Sequence, residues 1–394
     1  MNDKIAGIMG ICLGLSICST RFSIAVGNIF QSLAILIFFY LLYTRRNIIS
    51  VERELISYIS IIALMISCMI PSIIFSYNPG ESIRSFAEMW LYRVIPFVMI
   101  VTFLKEKKLS EQILIMILLV LSAEGVAAVI QVLTGISNRG IGFHGVMYFA
   151  GILASWIPVA CVLAADNGVN KTLRTVSRIA VPCLLAGAIA GQSRGLWLTL
   201  LCVLPVVLYK HILNNKKYIA VCCAVLLIVV GVFATSPELV HRVKSITNMT
   251  TDRSNGDRLV VWESSWNMIK DHPLTGVGLG QFKNVYEPRY RLKAMTQNLN
   301  HTHNNFVQVA TEAGIFGFLG FFVFTVCVLW NSYAEWLRTG NPYALALFAC
   351  WAGFSAFGMI DNTLDGSAVV KSMWFLTGVF LVLKNSWNKE FQEH

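Results

Sequence analysis

Apolar residues in this chain come in long runs rather than in alternation. Twelve such runs predict helices near residues 5–19, 22–43, 55–76, 86–104, 112–133, 146–164, 178–191, 195–210, 218–235, 304–330, 342–360 and 368–385. About 20 consecutive apolar residues are what a helix needs to cross the hydrocarbon core of a bilayer. The seventh run is short, which predicts a broken or tilted helix there. The pattern divides the chain into residues 1–235 with nine membrane helices, a polar loop over 236–303, and residues 304–394 with three more. Within the loop, Leu259, Trp262, Trp266 and Ile269 recur at helical spacing. A break follows at Asp271-His272-Pro273, then a turn built on Gly276, Gly278 and Gly280. A loop this long and this patterned is expected to fold as a small cap against the membrane and to carry function. The fold class expected is an all-α polytopic membrane protein with about twelve spanning helices and one large loop.

Composition agrees. Of the 394 residues, 56% are hydrophobic and only 13% charged, against about 25% charged in soluble domains. The formal net charge of +10 is distributed as membrane topology requires. Alternate connections hold Lys4; Arg45, Arg46 and Arg53; Lys105, Lys107 and Lys108; Lys171, Arg174 and Arg178; Lys210, Lys216 and Lys217; Arg338; Lys384 and Lys389. The other short connections hold mainly Arg21, Arg84, Arg139 and Arg194. A sixteen-to-four bias assigns the first set and both termini to the cytoplasm, and the long loop to the opposite side. No contiguous basic face with interleaved aromatics exists, so nucleic acid is not an expected partner. The ten cysteines all lie in apolar runs and read as small buried residues. The first apolar run reads as a retained anchor rather than a cleaved signal.

Polar residues beside apolar spans are the informative ones. Arg194 sits in the tight turn "GQSRGLW", where it is either a snorkelling anchor or, with small Ser193 and Gly195 beside it, a phosphate ligand. Arg258 opens the amphipathic helix of the loop, against the helix dipole, and nearby Arg253 competes for the same role. His303, where the loop returns to the bilayer, is suited to accept a proton near neutral pH, and His301 is a candidate partner. Gly314, Gly317 and Gly320 behind it predict close helix packing. No third and fourth ligand accompanies the histidines in sequence, so no metal is expected. Arg84 and Arg93, with Asp361, Asn362 and Asp365, predict structural ion pairing between the two sets. Glu124, inside the fifth run, requires a partner that the sequence does not name.

Three segments together carry a family resemblance. His303-Asn304, nine residues, Gly314, two residues and Gly317 resembles the His-Asn-x9-Gly-x-x-Gly motif of the bacterial O-antigen ligase/polymerase superfamily. "SRGLWLTLL" (Ser193 to Leu201) resembles its Ser-Arg-Gly-x-Trp segment, and Asp257 to Phe282 resembles its arginine-bearing periplasmic helix and Pro-x-x-Gly-x-Gly turn. The resemblance implies a GT-C-type all-helical glycosyltransferase fold in the bacterial inner membrane, with no metal or nucleotide cofactor. It implies that Arg194 and Arg258 hold the diphosphate of an undecaprenyl-linked glycan donor while His303 activates an acceptor hydroxyl, with Asn304 beside it in the motif. Within the superfamily, the single large loop favours an O-antigen ligase with lipid A–core as acceptor. An O-antigen polymerase and a protein O-oligosaccharyltransferase are the alternatives. A secondary transporter also commonly has twelve spans, but the internal repeats it should carry are absent.

Overall fold

The computed structural model describes residues 2–44, 53–214, 231, 237–244, 253–297 and 299–392. The ninth expected helix (218–235) and the first part of the loop lie outside the described residues, apart from residues 231 and 237–244, as do Arg45, Arg46, Lys216, Lys217, Cys222 and Cys223. Each of the other eleven expected spans has a helix. In order these are α1 (Asn2–Ser19), α2 (Ile24–Thr44), α3 (Arg53–Cys68) continued by α4 (Ile70–Ile74), and α5 (Pro79–Phe86) continued through a π-helical turn into α6 (Ile95–Phe103). There follow α7 (Lys107–Leu133), α8 (Val146–Ala165), α9 (Lys171–Ala190) and α10 (Arg194–Asn214). The loop contributes α11 (Pro237–Lys244), α12 (Arg253–Asp271) and α13 (Phe282–Val285), and the chain closes with α14 (Asn305–Thr339), α15 (Pro342–Gly358) and α16 (Ser367–Gln392). Nine of the described segments are long and apolar enough to cross a membrane, and α15 is a shorter apolar helix. No strand occurs among the described residues. The protein is a polytopic membrane protein whose regular structure, among the described residues, is all helical.

The chain departs from the hydropathy reading in two helices. The seventh span is neither short nor broken: α9 runs 20 residues from Lys171, capped by Asn170, whose side-chain oxygen accepts from the Thr172 N–H. Its first two turns carry Lys171, Arg174 and Arg178, so the helix outruns its apolar run. The tenth is longer than expected at 35 residues, about 52 Å at 1.5 Å per residue, and no bilayer needs that length. Gly314 divides it: at φ 61° and ψ −162° it leaves helical geometry, so Asn305–Ala313 belongs with the loop and the remainder spans.

That break is made by the glycine turn of the loop. Val277 N donates to Thr311 O at 3.1 Å, Gly278 N to Glu312 O at 2.9 Å and Ile315 N to Pro273 O at 2.9 Å. These bonds reconnect the backbone groups that the kink releases. A Cβ on Gly314 would strike the backbone of Leu274, and one on Gly276 that of Glu312. The buried Glu312 carboxylate also accepts from Phe282 N at 3.1 Å. Gly314 is therefore a docking point for the loop and not a helix-packing glycine. Gly317 and Gly320 do serve close packing, facing Met69 and Cys68 respectively.

Buried α8 and α16 form the centre, with 83% and 89% of their spanning windows covered by protein. Glu124 of α7 finds its partner in Arg21, whose guanidinium donates to both carboxylate oxygens at 2.8 and 2.6 Å with both side chains at 1% exposure or less. At one end of the bundle Lys107 pairs with Glu390, and Lys384 with Glu335. α7 runs from that end to the other, where Arg139 donates to the carbonyls of Gly191 and Gln192 just before α10. α1 starts at the same end, where a Cβ on Gly7 would meet Leu109 near the start of α7, so both described chain ends lie at the end holding Lys107 and Lys384. Arg194, Arg258 and His303 lie at the opposite end.

Candidate functional site

Arg194 is the first residue of α10 and Arg258 lies in the second turn of α12. The two line one open cavity of about 180 Å³, together with Gly195, Leu198, Asn255, Leu259, Trp262, Met359 and Ile360. No acidic side chain is among these lining residues. Two guanidiniums face a wall that is otherwise mostly apolar, and the N-terminus of α10 adds its partial positive charge. The cavity is open and has room for a small anionic group.

The rival loop arginine points elsewhere. Arg253 is mostly exposed, donates from Nε to Thr296 Oγ1 at 2.9 Å, and lies 4.0 Å from Asp257. As the first described residue of α12, it is Arg253 and not Arg258 that stands against the helix dipole, since the helix begins five residues earlier than the sequence suggested. The apolar stripe of α12 is divided: Leu259 and Trp266 are 49% and 58% exposed, whereas Trp262 is half-buried against the small core beneath the helix. The other face (Asp257, Val261, Ser264, Ser265, Met268) closes a small core with Val277, Phe282, Val285, Tyr286, Met295 and Leu299.

His303 stands beside the cavity rather than in it. Its Nδ1 lies 2.8 Å from Asp361 Oδ1, and Asp361 directly follows the cavity-lining pair Met359–Ile360. With Asp361 ionised, the Nδ1–H donates to the carboxylate, which leaves the Nε2 lone pair as the ring's acceptor. Its two neighbours tie it to the cavity wall. Trp262 Nε1 donates to Thr302 O at 2.8 Å, and Asn304 Nδ2 donates to Met359 O at 3.0 Å. Asn304 also caps α14, its Oδ1 accepting from Phe306 N and Val307 N, so it holds the turn and the helix start together. Next to it, the buried Asn305 accepts from Thr363 N and Leu364 N, clamping the Asp361 segment to the histidine segment.

His303 has φ +53° and Gln192, two residues before Arg194, has φ +50°; among the described residues they are the only non-glycine residues with positive φ. Such a backbone costs about 1–2 kcal/mol per residue and persists only where the surroundings over-determine it. Both strained residues sit on the turns that present the candidate groups.

His301 packs against His303 with ring centroids 4.3 Å apart, and its Nε2 is 3.8 Å from Asp361 Oδ1. Burial, reinforced by the neighbouring His303, holds the His301 imidazole down to about 4, Asp361 opposing only in part, so it is neutral at pH 7. Of the third and fourth metal donors that the sequence did not show, folding supplies one: Asp361 brings its carboxylate beside both rings, and no fourth donor joins them among the described residues. The ion pairing expected between the sets Arg84/Arg93 and Asp361/Asn362/Asp365 is met in part: burial raises the Asp365 carboxyl to about 6 while the nearby Arg93 charge pulls it down. Arg93 is buried, donates to the Leu364 carbonyl and pairs with Glu88, while Arg84 is exposed on α5. The sequence grouped Asp361 with structural ion pairs and missed its bond to His303. The one signal available was its position as a carboxylate at the edge of an apolar run.

The fold and this corner define a polytopic membrane protein with a basic, anion-sized cavity and a histidine–aspartate pair at one end of its bundle. Residues 179–322, which hold Arg194, Arg258 and His303, match the protein family described as O-antigen ligase. A protein of Rickettsia prowazekii (strain Madrid E), provisionally named a polysaccharide ligase, is 24% identical over 142 residues, 34% of this chain and 33% of that relative. The chain thus spans about a third of that relative's length in the matched region. The resemblance to the O-antigen ligase superfamily read from the three motifs holds, and the matched segment contains all of them.

Proposed function

We propose that this protein is an O-antigen ligase, transferring a glycan from undecaprenyl diphosphate to the lipid A–core oligosaccharide at the periplasmic face of a bacterial inner membrane. The observation that carries the reading is the shared cavity. Two arginines 64 residues apart in sequence converge on one anion-sized space with an apolar wall and no acid lining it. A lipid diphosphate needs this combination: cations for the head and apolar surface where the lipid begins. The cavity end is then periplasmic, and the lysine-bearing end with both termini is cytoplasmic, in line with the positive-inside distribution. A GT-C-type architecture with twelve spans, the ninth formed by residues 218–235, belongs to the same reading.

The chemistry follows from the groups in place. Arg194 and Arg258 neutralise the charge that develops on the departing diphosphate, the task given elsewhere to a divalent ion. The acceptor hydroxyl gives its proton to His303 Nε2 as its oxygen attacks the anomeric carbon. Asp361 holds the ring in the tautomer that leaves Nε2 free to accept, and stabilises the imidazolium that forms. Attack opposite the diphosphate inverts the anomeric centre. Asn304 acts indirectly, by fixing the turn.

In a strain lacking the gene, ligase function predicts long O-antigen chains left on the undecaprenyl carrier and unsubstituted core on a lipopolysaccharide gel. Complementation by His303→Ala or Arg194→Ala, each inserted at wild-type levels, is expected to leave that phenotype unchanged. Core bearing a single repeat would identify a polymerase instead, and unaltered lipopolysaccharide with unglycosylated pilin a protein O-oligosaccharyltransferase. Restoration of normal lipopolysaccharide by His303→Ala would remove the base assignment.

A further inference from the structure

The donor atoms at the His303 corner have a geometry that proton transfer does not require. One ring nitrogen from each of His301 and His303 and a carboxylate oxygen of Asp361 lie within 4.8 Å of one another. His303 Nδ1 is 2.8 Å and His301 Nε2 is 3.8 Å from Asp361 Oδ1. Around a tetrahedral Zn²⁺ with bonds of about 2.1 Å, ligand atoms stand about 3.4 Å apart. The two separations from Asp361 Oδ1 lie on either side of that value and the two ring nitrogens stand within 4.8 Å of each other, so side-chain adjustments of about an ångström or less would bring the three donors to coordination distance. Two imidazoles and one carboxylate suit Zn²⁺ and its first-row neighbours, whereas Mg²⁺ and Ca²⁺ take oxygen donors. The histidine side chains are 27% and 22% exposed, so solvent reaches the donors and water can serve as a further ligand.

The donors are also held in place before any ion arrives. Thr302, between the two histidines, donates from its N–H to Gln308 Oε1 and from Oγ1 to Asn304 O, and accepts from Trp262. The Asp361 segment is fixed by Asn305. A preorganised donor set gives up little entropy on binding. A turn whose only task was to present His303 would have no need of a second imidazole on the same carboxylate.

We propose that His301, His303 and Asp361 form a transition-metal site, filled by Zn²⁺, whose occupancy switches His303 off as a base. The metal site stands on geometry alone; the switch rests on the base role given to His303 above. The mechanism is a change of tautomer. Without the ion, the ring proton is on Nδ1, donated to Asp361, and Nε2 has a free lone pair. With the ion, Nδ1 gives its lone pair to the metal and releases its proton to solvent, and Nε2 takes one up. The ring stays neutral, but Nε2–H is now a donor and cannot accept a proton from an acceptor hydroxyl. The carboxylate that stabilised the imidazolium is occupied as well.

Full-length protein, purified in detergent without a polyhistidine tag and stripped with EDTA, is titrated calorimetrically with Zn²⁺ alone and spectroscopically with Co²⁺ alone. The expected result is a saturable site and, with Co²⁺, the visible band of a four-coordinate ion. His301→Ala and Asp361→Asn should each weaken Zn²⁺ binding at least tenfold while still unfolding in one cooperative thermal transition, and His241→Ala, an exposed histidine outside the cluster, should not weaken it. Glycan transfer should fall by at least tenfold over the same Zn²⁺ range and recover with EDTA. A wild-type protein that binds no Zn²⁺, or variants that bind it as the wild type does, would overturn the site. Binding that depends on His301 and Asp361 but leaves transfer untouched would overturn the switch, and with it the base role of His303 rather than the metal site.

Discussion

Replacing Asp361 by asparagine tests the His303 arrangement with the least change in shape. The amide side chain would keep an oxygen for the Asn362 N–H, which donates to Asp361 Oδ1 at 3.0 Å in the native protein, so folding should survive. Two things are lost. The first is a charge-assisted hydrogen bond of 2.8 Å to Nδ1, worth about 1.5–3 kcal/mol; the rate loses only the part of it gained as the ring becomes imidazolium, at most roughly 150-fold at about 1.36 kcal/mol per decade. The second is control of the tautomer. An amide NH₂ turned toward Nδ1 would favour the ring with its proton on Nε2, which cannot act as base. In the Ser-His-Asp proteases the equivalent change costs about 10⁴-fold. The expected loss in kcat is therefore between ~10² and ~10⁴, with KM for the lipid-linked donor nearly unchanged, because Asp361 does not line the arginine cavity. The assay is transfer by purified protein in detergent with defined donor and acceptor. The double variant His303→Ala/Asp361→Asn should be no slower than His303→Ala alone, since residues acting as one unit are not additive. A fall in kcat under threefold, or fully additive losses in the double variant, would refute the reasoning.

Three further outcomes follow from the same geometry. Arg258→Lys keeps the charge but loses the planar fork, and is expected to lower kcat/KM at least tenfold, whereas Arg253→Ala should cost less than threefold because that side chain is engaged with Thr296; equal losses would exchange their roles. Removing one partner of the buried Arg21–Glu124 pair, as in Glu124→Gln, should destabilise by about 3–5 kcal/mol. The double change Arg21→Met/Glu124→Leu should recover much of that loss, read from thermal midpoints in detergent. Gly314→Ala, which meets both a positive φ and the Leu274 backbone, is expected to undock the loop and to increase proteolysis between residues 272 and 281; unchanged protection would show that the kink can re-form around a Cβ.

Residue order alone determined the helical class, most of the spans, and the segregation of basic residues to one end. Each depends on runs of neighbouring side chains and on charge beside a run, which are local properties. It also singled out Arg194, Arg258 and His303, because charge at the edge of an apolar run is rare enough to notice. Other features could not be read locally, and each has a stated cause. Arg253 and Arg258 lie in one short polar segment, and only the packing of α12 on its Val261–Met268 face turns one toward Arg194 and the other toward Thr296. Gly314, Gly317 and Gly320 have identical spacing, yet the first receives a loop backbone while the others receive neighbouring helices. Glu124 needed a partner that turned out to be 103 residues away. Asp361 is 58 residues beyond His303, and no periodicity relates the two. Their meeting, which makes the histidine pair both a candidate base and a candidate metal site, depends on the clamp between the two loops and exists only in the folded chain.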